Sequence, residues 1–224
     1  MNKIRHLAVI MDGNQRWSKN NNTSLMDGYT KGIKKIHEVI NFCIEKKIPN
    51  LTIFALSSEN YKRQSVNIIF QLIEKSYKDF LNVIGKKKEV QIRIIGEKKL
   101  LSKKFLEIFS NIESITKNHN KLNLNIAFNY GTFDELINIF NNIKNSQSEL
   151  IDEKQIRANM YLKDAPDPDI LIRTGGFQRL SNFILLNLSY TELFFTNTLW
   201  PDFSHNELES ILLKFSKVNR NYGL

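Results

Sequence analysis

An apolar run, His6-Leu-Ala-Val-Ile-Met11, passes directly into Asp12-Gly-Asn-Gln-Arg-Trp17. This stretch supplies a carboxylate, a glycine turn, an amide, a guanidinium and an indole. If the run is a strand of an open parallel sheet, the cluster lies beyond a strand's carboxyl end, where such sheets bind ligands. Asp12 then offers a hard oxygen for a metal ion, the Gly13 backbone a nest for an anion, and Arg16 a fork for phosphate oxygens. An ordinary strand-to-helix turn explains Asp-Gly-Asn equally well. What stands at the other strand ends decides between them.

Those ends carry similar clusters. Ser57-Ser58-Glu59-Asn60 follows the run Leu51–Leu56, with Arg63 just beyond. Asn129-Tyr-Gly131 follows Leu122–Phe128. Arg173-Thr-Gly-Gly176 follows Asp169–Ile172, with Arg179 and Ser181 shortly after. Parallel strands would bring all of these to one sheet edge. Arg16, Arg63, Arg173 and Arg179 suit phosphate, while Ser57, Ser58, Asn60 and Ser181 add neutral donors. Asp12 and Glu192 are candidate ligands for Mg²⁺, which usually bridges diphosphate oxygens. One arginine alone reads as a surface ion pair worth little; four at one edge do not.

Other motifs carry less. Neither a GxxxxGK[ST] loop nor a GxGxxG turn is present, and Gly28 and Gly32 read as a helix-start pattern. Asp164, Asp167 and Asp169 are separated by prolines and read as a loop rather than a metal site. His6, His37, His119 and His205 lack metal-ligand spacing and read as core or surface residues.

Strand and helix patterns alternate along the chain. Further strands are expected at Val90–Ile95 and Phe194–Leu199. Ser18–Ser24 reads as a polar loop. Helical spacing places Ile33, Ile36, Ile40, Cys43 and Ile44 on one face. A second long helix places Val66, Ile69, Phe70, Ile73, Tyr77, Phe80, Leu81 and Ile84 likewise. Helices are also expected over Lys103–Thr116, Phe133–Ile143, Glu153–Tyr161 and His205–Val218. The pattern predicts one α/β domain over residues 1–224, with a central, mostly parallel six-stranded sheet flanked by helices. The second long helix could line an apolar groove beside the phosphate site, an arrangement that suits a prenyl diphosphate.

Composition sets the boundaries. The 224 residues suffice for a full core. One cysteine, Cys43, excludes an internal disulfide and suits a reducing cytoplasm. No apolar run reaches the roughly eighteen residues of a membrane span, so the expected location is cytoplasmic, with at most peripheral membrane contact. The net charge of +9 is compatible with nucleic acid, an anionic membrane or a polyphosphate substrate. Nucleic acid is not an expected partner, because no recognition motif accompanies the lysines.

The blocks HLAVIMDGNQRW, LSSENYKR, IRIIG, LNLNIAFNYG, ILIRTGGFQRLSNF, YTELFF and LWPDF occur in that order. Together they resemble the cis-prenyltransferases, specifically the bacterial undecaprenyl diphosphate synthases, from about His6 to the C-terminus. The resemblance implies a homodimer, an apolar tunnel and Mg²⁺. It also implies repeated condensation of isopentenyl diphosphate onto an allylic diphosphate such as farnesyl diphosphate. Asp12 matches the family's Mg²⁺–diphosphate aspartate and Asn60 its second catalytic position. An amide is a weak base, so Asn60 is read as positioning substrate. Gly13, Asn14, Gln15, Arg16 and Trp17 fall in the allylic-substrate loop. Ser57, Ser58, Glu59, Tyr61 and Arg63 fall in the next substrate loop. Arg173, Arg179, Leu180 and Ser181 match the isopentenyl diphosphate site, and Glu192 a second metal-associated carboxylate.

Several positions depart from the family pattern. Leu25 and Tyr29 stand where an arginine and a histidine are common among the substrate contacts. Gln15 and Gln64 replace frequent Gly/Arg and Pro, and Phe177 replaces a frequent Glu. The Leu25 and Tyr29 departures motivate an alternative, a non-catalytic partner subunit of a prenyltransferase complex. Retention of Asp12, Arg16, Asn60, Arg173 and Arg179 favours an active enzyme.

Overall fold

The computed structural model describes residues 3–61, 66–75, 77, 89–145 and 151–219. Six parallel strands form one sheet in the order β3-β4-β2-β1-β5-β6. They are β1 His6–Ile10, β2 Asn50–Ser57, β3 Val90–Ile95, β4 Leu122–Tyr130, β5 Ile170–Arg173 and β6 Glu192–Phe195. All five β1 residues are buried, as expected for a parallel strand covered on both faces. Leu7 and Val9 enter one apolar layer with Val39, Ile53 and Phe109. Ala8 and Ile10 enter the opposite layer with Leu171, Phe183 and Ile184. The strict alternation of a strand produces this division.

Helix α1 spans Asn14–Asn20 and α2 spans Leu25–Glu45. Helix α3 covers residues 66–75; Phe80, Leu81 and Ile84, expected on the same face, lie outside the described residues. The others are α4 Lys103–Thr116, α5 Thr132–Asn145, α6 Glu153–Asn159 and α7 His205–Ser216. A reciprocal capping box between Ser24 and Asp27 starts α2. Cys43 is fully buried in the core beneath α2.

Two expected segments differ. Residues 14–20 form α1 rather than running into a loop. A helix of seven residues, about two turns, with Trp17 as its apolar residue, is too short to show a period. The sixth strand begins at Glu192 and ends at Phe195 instead of spanning Phe194–Leu199. Beyond it the Thr196 and Thr198 carbonyls accept the Gly176 and Gly175 N–H groups, at 2.8 Å each.

His6 ties the bottom of the sheet together. Its Nδ1–H donates to the Pro166 carbonyl at 2.6 Å, and its Nε2 accepts the Thr52 hydroxyl at 2.7 Å. Asp169 accepts the backbone N–H groups of Arg5 and His6 at 2.6 and 3.2 Å, a structural role rather than a metal role. Complete burial lowers the His6 pKa from 6.5 to about 4. Above pH 6.5 the imidazole is neutral in folded and unfolded chains. Between those two values the unfolded chain takes up a proton that the folded chain refuses, so stability falls as pH falls. The loss from this residue is on the order of 3 kcal/mol. Urea unfolding at pH 7 and 4.5 should show a steeper acid loss for wild type than for His6→Gln; equal losses would contradict the assignment.

Candidate active site

The chain leaves β1 toward β2 and leaves β5 toward β6, although β1 and β5 are neighbours. Connections diverging from adjacent parallel strands open a crevice at their carboxyl ends. Asp12 and Arg173 face one another there. Asp12 Oδ2 accepts Arg173 Nη2 at 2.8 Å, and Asp12 Oδ1 accepts Arg16 Nη2 at 3.0 Å. Arg173 Nη1 donates to the Ser181 hydroxyl at 2.7 Å and to the Arg179 carbonyl. The buried Arg173 Nε has no hydrogen-bond partner among the described residues. Arg16 Nη1 also donates to the Gly175 carbonyl at 2.7 Å. A Cβ on Gly175 would lie 2.9 Å from the Asp12 backbone carbonyl oxygen, and φ there is +84°, so this approach requires glycine.

These groups line a cleft of about 640 Å³. Gly13, Asn14 and Gln15 share its α1 wall, while Ser57, Glu59 and Asn60 form the wall after β2. The β2–β4 register slips at Leu56 and again at Ser57, which re-aims that wall at the sheet edge. The Asn60 N–H donates to the Ser57 hydroxyl at 3.1 Å. Tyr29 lies at the back, within 3.5 Å of the Gln15 amide.

An apolar cavity of about 380 Å³ lies beneath, between the sheet and helices α2, α3 and α4. Ile69, Leu72 and Ile73 of α3, with Tyr77, form one side, and Ile53, Phe109 and Phe128 also line it. Met11, Asn14, Tyr29, Phe54, Ala55 and Ile69 line both spaces. The cavity therefore opens at the arginine-lined cleft. His37 contributes to the cavity wall, and partial burial lowers its pKa.

Some expected site residues lie elsewhere. The Trp17 indole donates to Asp202 at 2.9 Å and stacks under Lys31 Nζ, 4.3 Å from the ring. Leu25 is exposed at the start of α2, away from the cleft. Ser58 backs the wall through its N–H to the Tyr130 carbonyl at 3.0 Å. Tyr61 turns away and donates to the Leu100 carbonyl at 2.8 Å. Leu180 packs into the second apolar layer. Arg63 and Gln64 lie outside the described residues.

Glu192 does not join Asp12 within a single chain. It opens β6 and pairs with Ile170, at the amino ends of the strands. Arg173, which touches Asp12, lies three residues along β5, about 10 Å at normal strand rise. Parallel pairing with β5 places Glu192 at the opposite edge from Asp12. Gly28 and Gly32 lie in the opening turns of α2, as their helix-start pattern suggests, and have a further role. Cβ atoms there would lie 2.1 Å from Ser18 Oγ and 2.2 Å from Asn14 Oδ1. They are the contact that lets α1 rest on α2 and holds Asn14 at the cleft.

The sequence reading also missed Asn182. Its Nδ2 donates to Glu59 Oε1 at 3.0 Å, and its Oδ1 accepts the Thr132 N–H at 3.1 Å. It links the wall after β2 to the loop after β5. The asparagine in Leu180-Ser-Asn182, in a left-handed conformation at φ 61°, was the available signal.

Comparisons with known proteins fit this geometry. The family model described as "Putative undecaprenyl diphosphate synthase" matches residues 10–223. The chain belongs to this prenyltransferase family. The isoprenyl transferase of Aquifex aeolicus is 38% identical over 223 residues, covering 97% of this chain and 95% of its own. That of Rickettsia sibirica is 36% identical over 225 residues, covering 100% and 99%. A crystal structure of a "probable undecaprenyl diphosphate synthase" from Campylobacter jejuni superposes with a TM-score of 0.85 at 33% identity, covering all of both chains. Lavandulyl diphosphate synthase from Lavandula x intermedia, solved with dimethylallyl diphosphate, gives 0.89 at 28% identity and 99% coverage of each chain. The undecaprenyl diphosphate synthase fold is thus the fold of this chain, and membership supports cis-prenyltransferase activity. No helix among the described residues is long and apolar enough to cross a membrane.

Proposed function

We propose that this chain, as one catalytic domain over residues 1–224, condenses isopentenyl diphosphate repeatedly onto an allylic diphosphate. Farnesyl diphosphate is the expected starter, and a cis-polyprenyl diphosphate of the undecaprenyl lipid-carrier type is the expected product. The observation that carries this reading is the opening of the apolar cavity directly at the arginine-lined cleft. A prenyl diphosphate needs both environments at one junction, and each has the size of a small-ligand site, roughly 300–1,000 Å³.

Arg16, Arg173 and Arg179 hold diphosphate oxygens and stabilise the charge on the departing group. The allylic C–O bond breaks with its electron pair leaving on diphosphate. The isopentenyl double bond attacks the allylic carbon, and a proton is then lost. Asn60, on the wall after β2, positions the reacting group. The apolar cavity shields the growing chain from water.

The residues present fit Mg²⁺ of a particular kind. No group of three or more His, Cys, Asp or Glu is placed to hold a metal among the described residues. Asp12 offers one carboxylate, a quarter exposed at the cleft mouth. Mg²⁺ commonly binds through one or two carboxylates plus substrate phosphates, so Asp12 suits an ion arriving with the diphosphate. An ion held by Asp12 and the substrate would supply neutralisation of the diphosphate charge that builds as the group departs. Glu192 is not part of this set within one chain.

Ala55 stands where cleft and cavity join. Ala55→Leu should shorten the product by blocking the entrance to the cavity, and mass spectrometry of extracted products reads this directly. An unchanged length distribution at normal turnover would remove the cavity from the account.

A second copy of this chain is the proposed partner. Helix α5 exposes Phe133, Ile137 and Phe140 at helical spacing, with exposed Leu185 beside its first turn. Such a stripe marks an interaction surface, and homodimerisation accords with the family resemblance. Ile137→Glu should convert dimer to monomer in sedimentation; wild type sedimenting as a monomer would overturn the assignment. Release of an apolar product also calls for peripheral contact with a membrane, which the net charge of +9 favours where lipids are anionic.

A further inference from the structure

Phe177 is a two-fifths exposed aromatic ring lining a polar cleft, and burial of apolar surface does not explain its position. Three guanidinium groups from separate parts of the chain converge on it. Arg179 lies 4.1 Å from the ring centroid, Arg16 4.7 Å and Arg173 5.9 Å. The backbone beneath the ring is fixed: the Gly175 and Gly176 N–H groups donate to Thr198 and Thr196. The Arg179 guanidinium has no hydrogen-bond acceptor among the described residues. A guanidinium held face-on by a ring keeps its N–H edges free, whereas a carboxylate would occupy those edges and compete with an incoming anion.

We infer that Phe177 is a positioning residue for substrate diphosphate. Its ring sits against the Arg179 and Arg16 guanidinium groups and leaves available to phosphate oxygens the Arg179 N–H donors and those of Arg16 that Asp12 and Gly175 do not engage. The inference rests on the reading of this cleft as a diphosphate site and names a source of its affinity.

Titration of inorganic diphosphate into wild type, Phe177→Leu and Phe177→Tyr by calorimetry tests it, alongside steady-state kinetics with isopentenyl diphosphate. Leu keeps apolar bulk without the π face, and Tyr restores the face. Loss of two cation–π contacts should weaken diphosphate binding about tenfold in Phe177→Leu. KM should rise in step, while kcat changes far less and the thermal midpoint holds. Phe177→Tyr should bind as wild type does. Equal binding by wild type and Phe177→Leu overturns the inference, as does failure of Phe177→Tyr to restore binding or of wild type to bind diphosphate. The expected binding pattern without prenyl transfer would leave Phe177's role standing and overturn the proposed reaction instead.

Discussion

Asp12→Asn should lower kcat by about a thousandfold, in line with removal of a group that stabilises charge developing in a transition state. The substitution keeps side-chain size and one acceptor oxygen, so the cleft retains its shape. It removes the carboxylate that suits Mg²⁺ and leaves Arg16 and Arg173 facing one another with less compensation. Stability should fall by about 1.5–3 kcal/mol, the range for a hydrogen bond to a charged group. The sharper signature lies in binding. Without Mg²⁺ the variant should bind inorganic diphosphate at least as tightly as wild type, because a negative charge has gone. Added Mg²⁺ should tighten binding to wild type and not to the variant. Calorimetry with and without the metal measures both effects, and Mg²⁺ tightening that survives in the variant would remove Asp12 from the metal's surroundings.

Arg173→Met should have the opposite binding signature. Arg173 is almost fully buried, and its guanidinium joins Asp12, Ser181 and the Arg179 carbonyl. Methionine fills much of the space and supplies none of these donors. Diphosphate binding should weaken by about a hundredfold with or without Mg²⁺, since the loss is a direct phosphate contact. Stability should also fall, by about 3–5 kcal/mol, as for loss of one partner from a buried ion pair. Arg173→Lys should recover part of the stability and little of the binding, because a single ammonium cannot reproduce the planar fork. Urea unfolding and calorimetry on the two variants separate these effects. Methionine and lysine variants that bind equally to wild type would exclude Arg173 from the diphosphate site.

Much of this arrangement was legible in the sequence. Leu7–Ile10 and Ile170–Ile172 are short apolar runs buried on both faces, and such runs between helices announce a parallel sheet. Parallel strands bring Asp12, Ser57, Asn60, Arg173 and Ser181 to one edge. Glu192 shows where that reasoning stopped. A carboxylate near a strand end in sequence belongs to either edge until the strand's first residue is known, and β6 starts two residues earlier than its apolar run suggested. Trp17 and Tyr61 sit in the right loops, but side-chain direction depends on packing against Lys31, Asp202 and Phe70, which linear spacing does not encode. Gly28 and Gly32 were visible as glycines, while their contact with Ser18 and Asn14 exists only once α1 has folded onto α2.

The most direct test of prenyl transfer at this cleft is incorporation of labelled isopentenyl diphosphate by the purified chain. Farnesyl diphosphate serves as starter, and the label is counted in solvent-extractable product with Mg²⁺ or with a chelator. Starter-dependent incorporation of several labelled units per product is expected, abolished by the chelator and reduced about a thousandfold in Asp12→Asn. Folded, dimeric wild type that incorporates no label with any allylic starter would contradict it and assign the chain to a non-catalytic partner role.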